Sequence, residues 1–161
     1  MSAIASALGL TAAGSATPSR IPHHLAFNFF LAYMVLASRG MKKQLGLDHN
    51  LCPREDVARY GEPAVQSGKI TREQLDKLKR NEAAHSASME YYPVLVGALL
   101  TARQAGVPNY LINRCALVYS LARVGYGVAY IYATTRKTSL IRSAFWYLGT
   151  SSCMYLLWQA A

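Results

Sequence analysis

Four long, mostly apolar stretches dominate this chain of 161 residues and leave little sequence for anything else. They cover about residues 21–38, 83–102, 110–132 and 143–161. Each is close to the roughly 20 residues that a helix needs to cross about 30 Å of hydrocarbon. Because backbone groups in lipid must bond within their own segment, all four stretches are predicted to be helices. We therefore expect an all-α integral membrane protein, built as a four-helix bundle.

The charged residues are concentrated in one part of the chain. All eight acidic residues lie between Asp48 and Glu90, and ten of the 17 basic residues lie between Arg39 and Arg80. The net charge of +9 would suit a nucleic-acid partner if these residues formed a basic stripe on a soluble fold. They cluster instead at the ends of apolar stretches, so we expect no nucleic-acid partner. A soluble helical bundle is disfavoured because only 16% of the residues are charged.

The basic residues also predict how the chain is oriented. The segment 39–82 and the loop that carries Arg136 and Lys137 hold most of them, so both are expected in the cytosol. The two termini then lie on the opposite side. Residues 1–20 lack the basic start of a signal peptide and are expected to lie loosely before the four-helix domain, residues 21–161.

The segment 39–82 is predicted to be a polar connection whose last third begins a helix. Proline and glycine interrupt its first two-thirds. Thr71 and Gln74 then have the spacing of a capping box, in which a hydroxyl and an amide side chain satisfy the first backbone N–H groups. A helix is therefore expected to start at Thr71 and to continue into the second apolar stretch.

An acid and an arginine fall well inside the second and third predicted spans. Glu90 lies in the second and Arg123 in the third, and an unpaired charge at that depth costs several kcal/mol. We therefore expect the two side chains to pair across the helices. The pair either fixes helix packing or lines a wet cavity that binds a polar ligand, and intramembrane charges favour the second interpretation.

A row of tyrosines accompanies Arg123. Tyr119, Arg123, Tyr126 and Tyr130 have the spacing i, i+4, i+7 and i+11, which places them on one helical face. A forked guanidinium donor and three hydroxyl groups suit an anion-binding wall. The alternative is that the tyrosines anchor the helix at the membrane interface.

Small residues surround Glu90 on its own helix. Ala83, Ala87, Glu90, Val94 and Gly97 share a face, so a neighbouring helix can approach closely there. No set of His, Cys, Asp and Glu has the spacing of metal ligands, so we expect no metal.

Two segments carry a resemblance to a known family. The sequence RNEAAHSASMEYYP at 80–93 resembles the second-helix signature of the MAPEG family, the membrane-associated proteins of eicosanoid and glutathione metabolism. The sequence LVYSLARVGYGVAY at 117–130 resembles the third-helix signature of the same family. The resemblance extends from about residue 21 to the end. It is most similar to the fungal branch, whose members resemble microsomal glutathione transferase.

The resemblance implies a homotrimer of four-helix subunits in the endoplasmic reticulum membrane, with glutathione as cofactor between neighbouring subunits on the cytosolic side. By motif, Glu90 would hold the amino end of glutathione and Arg39 would stabilise its thiolate. The thiolate would add to a lipophilic electrophile or assist an isomerisation. The implied catalytic residues are Arg39, Glu90, Arg123 and Tyr126. The implied cofactor-binding residues are Arg80, His85, Glu90, Tyr91, Tyr119, Arg123, Tyr126 and Tyr130.

The sequence departs from the family pattern beside Glu90. Ala87 stands where the family usually has Asn, and Ala83 where Arg is frequent. The missing amide would have contributed hydrogen bonds worth roughly 1 kcal/mol each. One alternative is therefore a glutathione-independent isomerase or cyclase of a lipophilic secondary metabolite, with Glu90, His85 or the tyrosines moving the proton. Another is a non-catalytic lipid-binding membrane protein.

Overall fold

The protein is built from helices connected by short loops. The computed structural model describes residues 3–11 and 17–161, and these residues contain helices and no strand, which confirms the all-α class. The helices are α1 (Ala3–Ala7), α2 (Ile21–Phe30, followed by a π-helical turn over Leu31–Val35), α3 (Arg39–Gln44), α4 (Asp56–Gln66), α5 (Arg72–Gln104), α6 (Asn109–Tyr132) and α7 (Arg136–Gln159).

One described stretch, Ile21–Gln44, is both long and apolar enough to cross a membrane. It comprises α2, the π-helical turn and α3. Helices α5, α6 and α7 contain 33, 24 and 24 residues. At about 1.5 Å per residue they measure about 50, 36 and 36 Å, which exceeds the roughly 30 Å of a hydrocarbon core. Their length is sufficient but their sequences are more polar, so their crossing stays a prediction.

Helix α5 begins where the sequence predicts. The Thr71 hydroxyl accepts a hydrogen bond from Gln74 N at 3.2 Å, and Thr71 N donates to Gln74 Oε1 at 2.8 Å. The predicted capping box is therefore confirmed. The helix then continues through Pro93 to Gln104, so the polar residues after Thr71 and the second apolar stretch form one continuous helix.

The three long helices pack around a shared core. Helix α6 makes extensive contacts with both α7 and α5. Leu95, Leu99, Ile112 and Leu156 are fully buried between them. A Cβ atom on Gly125 would lie 2.6 Å from the Phe145 ring, so the close approach of α6 and α7 requires glycine there.

The segment 39–82 is more structured than a polar connection. It contains α3 and α4 and its own small apolar core. Gly46 and Gly68 follow the ends of these helices with positive φ, as an interruption predicts, whereas the interruption predicted at Gly61 and Pro63 is wrong. Pro63 lies inside α4. A Cβ on Gly61 would lie 2.6 Å from Leu75 Cδ1, so this glycine serves close packing of α4 on α5 rather than a break.

The described part of the N-terminal segment does not lie loosely. The buried Asn113 amide of α6 donates to Gly9 O at 3.0 Å, and Arg114 Nε donates to Leu10 O at 2.7 Å. These bonds dock the segment on α6, because a buried amide needs partners. Residues 12–16 of the predicted segment 1–20 lie outside the described residues.

Candidate functional site

Helix α5 presents its predicted site residues on two different faces. Ala84, Ser88 and Leu95 are buried against the other long helices, and Ser88 lines a small internal cavity together with Arg123. Glu90 follows Ser88 by two residues, which is about 200° around the helix. The predicted site residues therefore fall into two groups. The enclosed group lies between the long helices, and the open group, which includes Glu90, lies on the other face of α5.

Arg123 belongs to the enclosed group. Its side chain is 3% exposed, and one terminal nitrogen donates to Ala87 O at 3.0 Å. Its guanidinium carbon lies 4.5 Å from the ring centre of Tyr126, 5.2 Å from that of Tyr91 and 5.9 Å from that of Tyr119. Three aromatic faces and a carbonyl thus stabilise this charge inside the chain.

The tyrosine row lies on the inward face of α6, as its spacing predicts. Tyr119 and Tyr126 are 2% and 5% exposed. The Tyr119 hydroxyl donates to Tyr91 O at 3.0 Å, and the Tyr126 and Tyr130 rings meet edge to face at 5.5 Å. At its outer end the row opens into a groove of about 250 Å³. This tyrosine groove is lined by Tyr126, Tyr130, Arg142, Ser143, Trp146 and Tyr147.

The predicted pairing of Glu90 with Arg123 is wrong for a single chain. Within residues 17–161 Glu90 has no ion pair and no hydrogen bond, and its side chain is exposed. The rotation of α5 turns Glu90 away from α6. Arg123 meets its need for a partner with the Ala87 carbonyl instead.

Glu90 faces an open cavity between α3 and α5, here called the α3–α5 cavity. Its volume is about 470 Å³. The charged and titratable residues that line it are Arg39, Lys42, Arg54, Glu82, His85 and Glu90. Three predicted site residues, Arg39, His85 and Glu90, are therefore brought together here.

Buried and exposed charges both contribute to the α3–α5 cavity. Lys42 is 4% exposed, lies 2.5 Å from Glu82 Oε1 and donates to Pro53 O, so it ties the loop to α5. Arg39 has 54% of its side chain exposed and lies 3.1 Å from Asp48 Oδ2. Its Nη2 donates to Asn50 Oδ1 at 2.6 Å, so the other terminal nitrogen of the guanidinium is the one left for a ligand.

Two further predicted residues have backbone partners. Nδ1 of His85 donates to Ala32 O at 2.8 Å, which fixes the imidazole against the π-helical turn. Arg80 Nε donates to Ile131 O at 3.0 Å. That carbonyl lies at the C-terminal end of α6, where a cation complements the helix dipole. The structure therefore uses Arg80 to hold α5 to α6.

The sequence analysis missed Lys42, Arg54, Glu82 and Arg142. Lys42 and Arg54 were treated as loop charges because the segment 39–82 was expected to have no helix before Thr71, and Arg142 was counted with the loop after the third apolar stretch. Glu82 had no signal beyond its place in the second-helix signature. Arg39 and Lys42 are three residues apart, a spacing that places them on one face once α3 is recognised.

One comparison with known proteins gives a match. The MAPEG family model matches residues 24–161, which include both groups of residues. No curated protein and no solved structure matches the chain. The resemblance inferred from the two signature segments is confirmed, whereas the fungal branch stays a prediction. Over more than four-fifths of its length, therefore, the chain belongs to the MAPEG family.

Proposed function

We propose that this protein is a membrane-embedded, glutathione-dependent transferase or isomerase that acts on a lipophilic electrophile. Membership of the MAPEG family is consistent with glutathione-related activity in general. The observation that carries the proposal is the α3–α5 cavity, where Arg39, Arg54 and Glu90 face the same space. Opposite charges in one open cavity favour a ligand that itself carries both signs.

The donors and acceptors of the α3–α5 cavity fit glutathione. This tripeptide carries two carboxylates, one ammonium group and one thiol. Arg54 offers a forked donor for a carboxylate, Arg39 offers the terminal nitrogen that Asp48 and Asn50 do not occupy, and Glu90 offers an acceptor for the ammonium group. The volume of about 470 Å³ lies within the roughly 300–1,000 Å³ of small-molecule sites. Bound glutathione supplies a sulfur nucleophile, and the Arg39 cation favours its thiolate form.

The proposal includes a homotrimer whose subunits complete the site. Glu90 and Arg123 belong to different faces of one chain, so a second copy is needed to bring the Glu90 face near a tyrosine groove. Ala83, Ala87 and Gly97 flank Glu90 on that face, and small residues allow helices to approach closely. The tyrosine groove supplies Arg142 and the exposed Tyr147 at its mouth.

The proposed location is the endoplasmic reticulum membrane, with the α3–α5 cavity on the cytosolic side. The supporting observation is that the cavity is lined by residues of the basic segment 39–82. Basic segments stay preferentially in the cytosol. The lipophilic substrate would then reach the site from the bilayer, and glutathione from the cytosol.

Calorimetry on the purified protein in detergent tests the proposal. We expect glutathione to bind at millimolar concentration, and Glu90→Gln to weaken the binding about tenfold through loss of one charge-assisted hydrogen bond. Glu73→Gln is the matched control, because Glu73 is exposed in the first turn of α5 and outside the cavity. The rate at which glutathione is conjugated to a generic aryl electrophile should likewise fall in Glu90→Gln and stay unchanged in Glu73→Gln. Absence of glutathione binding to the wild-type protein would reject the proposal.

Ala87 favours a second candidate, a glutathione-independent isomerase or cyclase of a lipophilic metabolite. The residue offers no side-chain amide, and its carbonyl is engaged by Arg123. The cavity would then serve proton transfer by His85 or Glu90. Full turnover by glutathione-free enzyme would support this candidate. A third candidate is a non-catalytic lipid-binding protein. In that case both Glu90→Gln and Tyr126→Phe should leave the biological role of the protein intact.

A further inference from the structure

A carbonyl released by the π-helical turn holds His85. In a regular helix Leu36 N would donate to Ala32 O, but it donates to Leu31 O at 3.0 Å. Ala37 N donates to Met34 O at 3.4 Å. Ala32 O is therefore left for His85 Nδ1, which lies 2.8 Å away. Insertions of this kind in helices recur at functional sites.

This bond determines which nitrogen of His85 carries the proton. A carbonyl oxygen only accepts hydrogen bonds, so Nδ1 must be the protonated nitrogen. In the neutral imidazole Nε2 then keeps its lone pair. In the described part of the chain Nε2 has no hydrogen-bond partner, and the half-buried His85 lines the α3–α5 cavity. The free nitrogen is thus a base available to a bound molecule.

We propose that His85 accepts the thiol proton through Nε2 and is the general base of the reaction. This inference rests on the proposed function. His85 takes the proton as the S–H bond breaks and the N–H bond forms, and the electron pair stays on sulfur. As sulfur bonds to the electrophilic carbon, the imidazolium returns the proton to the atom or leaving group that receives the displaced pair.

The charges around His85 suit both products of this proton transfer. Arg54 has no partner among the described residues, and Arg39 keeps one terminal nitrogen beyond its bonds to Asp48 and Asn50, so both cations at the cavity stabilise the developing thiolate. Glu90 lines the same cavity, and its negative charge favours an imidazolium there even while the carboxylate accepts from the ammonium group of glutathione. Lys42 is already paired with Glu82, so that pair adds little net charge. The π-helical turn contributes only the neutral carbonyl of Ala32 to His85.

Substitution of His85 by Asn separates the two roles of the imidazole. An Asn side chain places an N–H donor near the position of Nδ1, so it keeps the bond to Ala32 O while removing Nε2. We expect glutathione binding to persist, thiolate ultraviolet absorbance at neutral pH to fall, and kcat to drop about 100-fold with little change in KM. His23→Asn is the matched control, because His23 is exposed on α2 and outside the α3–α5 cavity.

Nitrogen NMR on wild-type protein labelled at histidine gives a test that needs no variant. We expect a neutral His85 protonated at Nδ1, with Nε2 becoming protonated when glutathione is added. Proton on Nε2 in the free protein, or unchanged thiolate absorbance and kcat in His85→Asn, would overturn the inference while glutathione binding leaves the proposed function intact. Failure of the wild-type protein to bind glutathione would overturn both.

Discussion

Arg123 and Arg39 are both site residues by sequence, yet the structure gives them opposite surroundings. Arg123 is 3% exposed and is held by a carbonyl and three aromatic rings. Arg39 has 54% of its side chain exposed beside an open cavity and shares its charge with Asp48. The difference teaches that a buried cation inside one chain already has its partners. The exposed cation is the one that remains able to bind a ligand.

The same contrast divides α5 along its length. One face contributes Ser88 and Leu95 to the interior, and another contributes His85 and Glu90 to the α3–α5 cavity. Substitutions on the enclosed face should therefore change stability, whereas those on the open face should change ligand binding.

Arg123→Met has the largest expected effect on stability. The substitution removes one hydrogen bond and the desolvated cation–π contacts, so it should cost about 3 kcal/mol. Arg39→Met removes an exposed ion pair with Asp48 and an exposed hydrogen bond to Asn50, which together should cost about 1 kcal/mol. Circular dichroism during thermal unfolding in detergent measures both. Equal losses for the two variants would contradict the division into enclosed and open groups.

The position of Arg123 was predictable from sequence, whereas its partner was not. The 3.6-residue period places Tyr119, Arg123 and Tyr126 on one face, and the inward burial of that face follows from their polarity. The rotation of α5 against α6 depends on packing at several positions, and sequence spacing does not contain it. A backbone carbonyl such as that of Ala87 has no sequence signal, because every residue offers one.

The segment 39–82 shows the same limit. The capping box at Thr71 is local, so two residues sufficed to predict the start of α5. Helix α4 was missed because Gly61 and Pro63 are typical helix breakers. Gly61 is there for its contact with Leu75, fourteen residues away, and that contact exists only in the folded protein. The α3–α5 cavity depends on the packing of this segment against α5, so the sequence could not predict the cavity either.

Alanine at two glycines should change stability in opposite directions. Gly125→Ala adds a Cβ 2.6 Å from the Phe145 ring, so overpacking of about 1–3 kcal/mol should outweigh the better helix propensity of alanine. Gly97→Ala meets no described atom of its own chain within 4 Å, so in a single chain it should stabilise α5 by up to about 1 kcal/mol, whereas close packing of a second copy on this face, as proposed above, would reverse the sign. Thermal unfolding of both variants in detergent tests the difference. A destabilising Gly97→Ala would indicate that another copy covers this face.

Two tyrosines should separate structure from function. The Tyr119 hydroxyl donates to Tyr91 O, so Tyr119→Phe should cost about 1 kcal/mol of stability. The Tyr126 hydroxyl has no hydrogen bond to any described residue, so Tyr126→Phe should leave the unfolding midpoint unchanged. If Tyr126 serves the proposed site, the second variant loses conjugation activity instead. Loss of stability without loss of activity in Tyr126→Phe would remove this residue from the site.

The smallest effect is expected where charges are fully solvated, in the contact between α4 and α5. Glu62 accepts hydrogen bonds from Arg72 at 2.8 Å and from Lys79 at 3.0 Å. These bonds lower the pKa of Glu62 from 4.5 to about 2. A carboxylate with a lowered pKa stabilises the fold above pH 4.5, and this contribution is lost as the pH falls through about 2.

Glu62→Gln should therefore lower the unfolding midpoint slightly at neutral pH and make no difference near pH 2. The difference should also shrink in high salt, because both partners are exposed. Glu73→Gln provides the control. Glu73 is exposed in the first turn of α5, next to Arg72, and has no ion pair among the described residues. A difference that persists unchanged to pH 2 would show that the contact depends on shape rather than charge. The stability of the contact between α4 and α5 would then depend on packing, as that of the enclosed group around Arg123 does, rather than on exposed charge as at Arg39.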